Sequence, residues 1–326
     1  MADFDDLSAA IRGYQVSRVL LTAIELDLFS AVHGGAPAAA VARRCGTDPK
    51  ATTLILNALV ALGYLERRGE SYENTAVTSR YLTADAADDA RAALRHNLSL
   101  WETWSGLTDV VRSGRPAPRR EMAEREDDWT VPFIAAMHRN AAVRAPLVME
   151  ALGAGSVRRM LDVGGGSGAY AIAFAQANPG LEAVVLDLAS VLPITETHIA
   201  DAGLAGRVTT RAGDLRSDTF GSGYDLVFMS SICHMLGPDG NRDLLARAAG
   251  ALSPGGRVAV QDFILDADRT APRQAVLFAI NMLVGTEAGS TYTEEEYASW
   301  LEAAGLVRVR RIQLAGPADL MVGERA

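Results

Sequence analysis

The order of apolar and polar positions changes character near residue 157. Before it, apolar residues recur at helical spacing; after it, short apolar runs alternate with helical stretches. Residues 7–32, "LSAAIRGYQVSRVLLTAIELDLFSAV", read as helix and are apolar on more sides than a surface helix needs. Such a helix is buried either wholly in its own core or also against a second subunit. Next, "APAAAVARRCGTDPKATTLILNALVALGYLERRGESYENT" predicts a helix broken at Gly46 and a second helix opened by Asp48 and Pro49 and closed by Gly63. A short hairpin turning at Arg68, Gly69 and Glu70 follows. Helix, helix, hairpin is the winged-helix order. Residues 90–150 read as mostly helical, with a proline-rich break at "SGRPAPRR".

From residue 157, "RRMLDVGGGSGAYAIAFAQA" predicts strand, glycine turn and helix, and "LEAVVLDLASVLPITETHIADAG" strand and helix. "RVTTRAGDL", "YDLVFM" and "RVAVQDFIL" predict further strands, with a helix over "NRDLLARAAGALSPGG". Alternating strands and helices predict an α/β, Rossmann-like, doubly wound and mostly parallel sheet. The apolar runs "AVVLDL" and "LVFM" suit strands buried on both faces. The expected boundaries are a helical, winged-helix-like domain over residues 1–95, a helical linker over 96–150 and the α/β domain over 151–326, which the resemblance given below makes a dimerisation domain, a contributor to the substrate pocket and the cofactor-binding catalytic domain.

Composition narrows the partners. The 326 residues are 49% hydrophobic and 22% charged, ordinary for a globular protein, with a formal net charge of −9. That acidity disfavours nucleic acid, and the second helix, "KATTLILNALVALG", offers almost nothing to read bases or phosphates. No apolar stretch reaches the ~20 residues that span a bilayer, so no membrane partner is expected. Cys45 and Cys233 fit neither a disulfide framework nor a metal spacing, and the acidic start lacks signal-peptide character, so a reducing cytoplasm is expected.

In an open α/β sheet, ligands bind beyond the carboxyl ends of the strands. Residues just after each strand therefore form one set. Gly164, Gly166 and Gly168 follow the first strand and let a ligand approach the main chain closely. Asp187 ends the second, where a carboxylate can hold ribose hydroxyls. Gly213, Asp214 and Leu215 follow the third, Ser230 and His234 the fourth, and Asp262 the fifth. A dinucleotide fits "GGGSGA" and Asp187 loosely, so nicotinamide and sulfonium nucleosides both remain open on this pattern.

Taken in order, "LDVGGGSGAYAIAFA", "VVLDL", "AGDL", "SSICHML", "LSPGGRVAVQDFIL" and "YTEEEYASWLEAAGL" resemble the S-adenosylmethionine-dependent O-methyltransferases of the plant caffeate and bacterial polyketide type. The resemblance covers nearly the whole chain and implies a class I methyltransferase fold with an N-terminal winged-helix dimerisation domain, hence a homodimer. It implies S-adenosylmethionine as cofactor. Gly164 and Gly166 would lie at its methionine part, Asp187 at its ribose, and Leu188, Gly213, Asp214 and Leu215 around its adenine. Ser230 would face the cofactor, and His234 would be the base, with Asp262 the first of two acids beside it. The second acid falls on Thr291, and Met235 and Leu236 stand where the family commonly has an acid and tryptophan. Met137 and His138, on the linking helix, and Asn281, Met282 and Thr286 would line the substrate pocket. No metal is expected.

The implied reaction is methyl transfer to a hydroxyl of a small aromatic substrate. A free phenol, pKa about 10, is mostly protonated at neutral pH, and a histidine within reach can remove that proton as the new bond forms. Methylation of carbon or nitrogen, or a different reaction on the same cofactor, stays open at this stage.

Overall fold

The computed structural model describes residues 3–116 and 127–326. The chain divides into two compact units, Met1–Trp101 and Glu102–Ala326. The proline-rich break expected at "SGRPAPRR" lies partly outside the described residues.

In the first unit the stretch expected as one helix is three: α1 (Phe4–Arg12), α2 (Tyr14–Glu25) and α3 (Leu28–Ala31). The breaks fall at Gly13 and at Asp27, whose φ of 53° cannot continue a helix. Then follow β1 (Ala36–Pro37), α4 (Ala38–Cys45), α5 (Pro49–Ala61), β2 (Leu65–Arg68), β3 (Ser71–Asn74) and α6 (Ala76–Tyr81). Asp48 caps α5 by accepting the Ala51 N–H at 2.8 Å, with Pro49 in the first turn as its fixed φ favours. Arg68 pairs with Ser71, which leaves Gly69 and Glu70 as the hairpin loop, and β1 adds a third strand. Leu28, Phe29, Val41, Leu56, Leu59 and Tyr72 fill the core. α7 (Arg91–Ser105) runs through the division between the units.

The second unit holds α8 (Leu107–Ser113), α9 (Asp127–Leu152), β4 (Arg159–Val163), α10 (Ala169–Ala177), β5 (Glu182–Asp187), α11 (Leu192–Asp201), β6 (Val208–Ala212), β7 (Tyr224–Ser230), α12 (Pro238–Ala251) and β8 (Leu252–Asp262). β9 (Ile264–Leu265), α13 (Arg273–Gly285), β10 (Tyr292–Thr293), α14 (Glu294–Ala303), β11 (Leu306–Ile312) and β12 (Asp319–Arg325) complete it. From Glu102 onward the expected linker belongs to this unit, because Ala145, Val148 and Leu152 of α9 pack into the core beneath the sheet.

The seven-stranded sheet has the order β11-β12-β8-β7-β4-β5-β6. β8, β7, β4, β5 and β6 run parallel; β12 runs opposite to them beside β8, and β11, antiparallel to β12, returns to their direction. Successive side chains alternate faces, so Met160 and Phe228 enter one core with α9 and α10, while Leu161 and Val227 enter another with α12 and α14. Both faces being covered is why these strands read as unbroken apolar runs. Strand order reverses at β4, between β5 on one side and β7 on the other, so a crevice opens at their carboxyl ends.

Candidate active site

The turn after β4 is shaped by close approach. Gly164 has a φ of +67°, and a Cβ there would lie 2.4 Å from Cδ1 of Ile232 and 3.5 Å from Cδ2 of Leu215. Glycine thus leaves room between residues that follow β7 and β6. The turn is tied to the neighbouring strand: the Gly164 N–H donates to the Leu186 carbonyl at 2.8 Å, and the Gly166 N–H to Oδ2 of Asp187 at 2.7 Å. The Leu188 N–H donates to Oδ1 of Asp187 at 2.7 Å. Burial raises the Asp187 carboxyl, and these two N–H groups offset only part of that rise. Thr195, buried on α11, donates to the Gly166 carbonyl at 2.5 Å and braces the turn from its other side.

Beyond β6, the Gly213 N–H donates to the Asp187 carbonyl at 3.0 Å. The Asp214 N–H donates to Asp218 at 2.8 Å, and its carboxylate accepts the Arg216 N–H at 2.8 Å. Arg247 holds the Leu215 carbonyl at 2.7 Å. Gly213, Asp214, Leu215 and Leu188 are all half-buried.

A polar cluster lies under the turn. Ser230 donates to Oε1 of Gln261 at 2.9 Å, and the Tyr170 hydroxyl donates to the same oxygen. Asp162 is fully buried, and burial lifts its carboxyl to about 7. Oδ2 of Asp162 and Nε2 of Gln261 have no hydrogen-bond partner among the described residues. Neither residue was singled out from sequence, although an acid and an amide inside apolar strands are visible signals.

The geometry at the end of β7 centres on His234. Ser231, at φ 61°, breaks the strand, and Cys233–Met235 form a single 3₁₀ turn. Nδ1 of His234 lies 2.7 Å from Oδ1 of Asp262, and the His234 main-chain N–H donates to Oδ2 at 3.1 Å. A carboxylate only accepts, so Nδ1 carries the proton and Nε2 presents its lone pair. The His234 carbonyl accepts the Ser290 N–H at 2.9 Å, which pins the turn from the opposite side. The ring meets Phe278 edge-on with centroids 4.7 Å apart, and Phe278 stacks on Phe263 at 4.2 Å. A buried imidazole–carboxylate pair beside aromatic faces can remove a proton from a flat, apolar molecule.

The residues expected around the acceptor lie on α9, on α13 and just after α13. Met282 is buried, and Thr286 is half-buried and donates to the Met282 carbonyl at 2.8 Å. Asn281 accepts the Trp104 indole N–H at 2.9 Å, a tie the sequence did not suggest. Met137 is half-buried on α9. His138 meets the glycine turn: its Nδ1 lies 2.9 Å from the Ser167 hydroxyl, and its ring stacks on His198 at 4.2 Å. Ile134, one turn earlier on the same face, lies 3.7 Å from where a Cβ of Gly166 would be. Helical phase therefore carries His138 to the turn. Burial, then the neighbouring His198, lowers the His138 imidazole below its ordinary range. Among the described residues, no group of three or more His, Cys, Asp or Glu side chains is arranged to hold a metal ion. Nor is any helix among them long and apolar enough to cross a membrane.

Comparison with known proteins identifies the family. The O-methyltransferase domain matches residues 104–307, and the O-methyltransferase dimerisation domain matches residues 9–84. The 3-hydroxy-5-methyl-1-naphthoate 3-O-methyltransferase of Streptomyces sahachiroi is 35% identical over 312 residues, 94% of this chain and 90% of that protein. The tetracenomycin polyketide synthesis 8-O-methyl transferase TcmO of Streptomyces glaucescens is 31% identical over 328 residues, 98% of this chain and 96% of that protein. The crystal structure of human N-acetylserotonin methyltransferase in complex with SAM matches with a TM-score of 0.88 at 26% identity, covering 100% of this chain and 99% of that one. A glycine turn facing an anchored carboxylate, a buried histidine–aspartate pair and two family domains in this order lead to one conclusion: the chain belongs to the S-adenosylmethionine-dependent O-methyltransferase family.

Proposed function

We propose that this enzyme methylates a hydroxyl of a small aromatic, natural-product-type molecule, with His234 as general base. The observation that carries the reading is the buried His234–Asp262 pair, whose Nε2 is left as an acceptor beside the stacked Phe263 and Phe278. The hydroxynaphthoate substrate in the name of one Streptomyces relative, and the polyketide synthesis in the name of the other, support the same acceptor class.

The residues present fit S-adenosylmethionine: the turn after β4 is built of glycines, with Gly164 and Gly166 at positive φ, and the Asp187 carboxylate beside it is fixed by two main-chain donors. Gly164, Gly166 and Ser230 would hold the amino-acid part, Asp187 the ribose hydroxyls, and Leu188, Gly213, Asp214 and Leu215 the adenine. Bound there, the cofactor supplies a methyl group activated by a positively charged sulfur. The protein's part is to orient the acceptor and remove its proton. Phe278 and Met282 offer apolar contact to a flat ring. Nε2 of His234 takes the hydroxyl proton, and Asp262 stabilises the imidazolium that results, a contribution of about 10²- to 10⁴-fold.

The enzyme acts as a homodimer through its N-terminal domain. α1 buries none of its residues, while Phe4, Leu7 and Ile11 stand exposed at helical spacing, an apolar stripe that a second copy would cover. Incubation with a labelled methyl donor and a panel of phenols, keto acids and amines tests the substrate class. Mass and NMR analysis should place the label on a phenolic oxygen. A label on carbon or nitrogen would overturn the reading.

A further inference from the structure

Asp262 is 1% exposed, so its charge must be satisfied by protein donors. Three come from the strand end and the adjacent turn: the His234 ring at 2.7 Å, the His234 N–H at 3.1 Å and the Phe263 N–H at 2.9 Å. The fourth comes from a different element, for the Tyr297 hydroxyl on α14 donates to Oδ2 at 3.2 Å. Each carboxylate oxygen then accepts two hydrogen bonds, which fills its lone pairs.

Tyr297 is itself held firmly. It lies in the first turn and a half of α14, whose start carries a reciprocal cap between Thr293 and Glu296. Its ring meets Tyr292 and Trp300 edge-on, with centroids 6.1 and 5.4 Å away. Thr291, where the family resemblance put a second acid, donates to the Ala275 carbonyl at 3.1 Å instead.

We infer that Tyr297 is a positioning residue for the base: its hydroxyl fixes the Asp262 carboxylate that in turn orients the His234 imidazole. The inference rests on His234 acting as the base. Besides His234 and Asp262, the titratable groups facing this cluster are Cys233 from the turn, Tyr292 from β10 and Tyr297 from α14, with Glu296 and Arg269, paired at 2.6 Å, acting on Tyr292. Burial pushes the Cys233 thiol and Tyr297 phenol well up, and Tyr292 to about 12, so all three stay neutral near pH 7. Removing the Tyr297 hydroxyl leaves the carboxylate charge less shared, so the imidazolium is better stabilised and His234 keeps its proton to higher pH.

The test is Tyr297→Phe, which keeps the packed ring. The kcat should fall about 3- to 30-fold, part of the general-base contribution. The acidic limb of the pH–rate profile should move up by about half a unit or more, a fraction of one charge-assisted hydrogen bond. KM and cofactor affinity should stay within about twofold, and in an Asp262→Asn background the same change should cost nothing further. Replacing Tyr297 by 3-fluorotyrosine, a stronger donor that keeps the hydroxyl, should move the limb the opposite way. A profile superimposable on wild type, or an undiminished loss in the Asp262→Asn background, would overturn the inference. His234→Ala, measured alongside, separates the two levels: if that variant keeps full turnover, the general-base reading falls and the inference with it. If it is inactive while Tyr297→Phe behaves as wild type, only the inference falls.

Discussion

A single methyl group at position 289 should disable the base without touching the cofactor site. A Cβ built on Gly289 would lie 2.4 Å from the His234 carbonyl oxygen and 2.5 Å from Oγ1 of Thr286. Ordinary contact begins near 3.4 Å, so the carbonyl must retreat by 3.4 − 2.4, about 1 Å. Neither neighbour is free to give. Thr286 accepts the Gly289 N–H at 2.9 Å and donates to the Met282 carbonyl at 2.8 Å, while the His234 carbonyl is bonded to the Ser290 N–H at 2.9 Å. Overpacking of this kind costs about 1–3 kcal/mol of stability. A displacement of about 1 Å at a reacting group costs on the order of 10²-fold in rate. Gly289→Ala should therefore lower kcat by about that factor, with cofactor affinity from calorimetry unchanged. Gly250→Ala is the matched control: it lies in α12 with no atom within 4 Å of the added Cβ. That change should stabilise by about 0.5–1 kcal/mol and leave turnover alone. A Gly289→Ala enzyme with wild-type kcat would refute the claim that the turn around His234 is held by this contact.

Three further outcomes follow from the same structure. The Asp162 carboxyl is raised from 3.8 to about 7 in the folded protein, so folding binds its proton more tightly. Its stabilising contribution is present at low pH and is lost as pH rises from about 4 to about 7, at most roughly 4 kcal/mol, and is flat above that. Asp162→Asn should flatten this slope and raise the Tm at pH 8 more than at pH 5; an equal effect at both would contradict the assignment. Asp187→Ala should weaken S-adenosylmethionine binding about 10- to 100-fold by calorimetry, the worth of one charge-assisted hydrogen bond or somewhat less, and normal binding would exclude the ribose role. Changing Leu7 and Ile11 together to lysine should convert dimers to monomers in light scattering, and an intact dimer would remove α1 from the interface.

The parts legible in the sequence are those with a strong local signal. β4, β5 and β7 are buried on both faces, so their apolar runs stood out, and the glycine turn and strand-end acids could be placed because the topology brings strand ends together. Pairing Ser230 with Gln261 leaves Asp262 one step further along β8, beside the His234 turn, and adjacency of consecutive strands anticipated that contact. β11 and β12 were not anticipated. β11 is an edge strand with exposed arginines and an irregularity between Val307 and Arg310, so its alternation is broken. Tyr297 was hidden for another reason: an aromatic residue on the buried face of an amphipathic helix reads as core, and its hydroxyl gains meaning only from Asp262 on a distant strand. The contacts of His138 with Ser167 and His198 were not legible, because sequence gives its helix but not the phase at which that helix meets the glycine turn.

The central claim is that the imidazole removes the acceptor's proton, and it is tested most directly by varying how much that proton needs removing. Wild type and His234→Ala would be assayed at one pH on a series of phenols of falling pKa. The variant should lose about 10²- to 10⁴-fold on an ordinary phenol, and the loss should shrink towards nothing for a phenol already ionised at that pH. An equal loss across the whole series would mean that His234 serves the reaction in some way other than as its base.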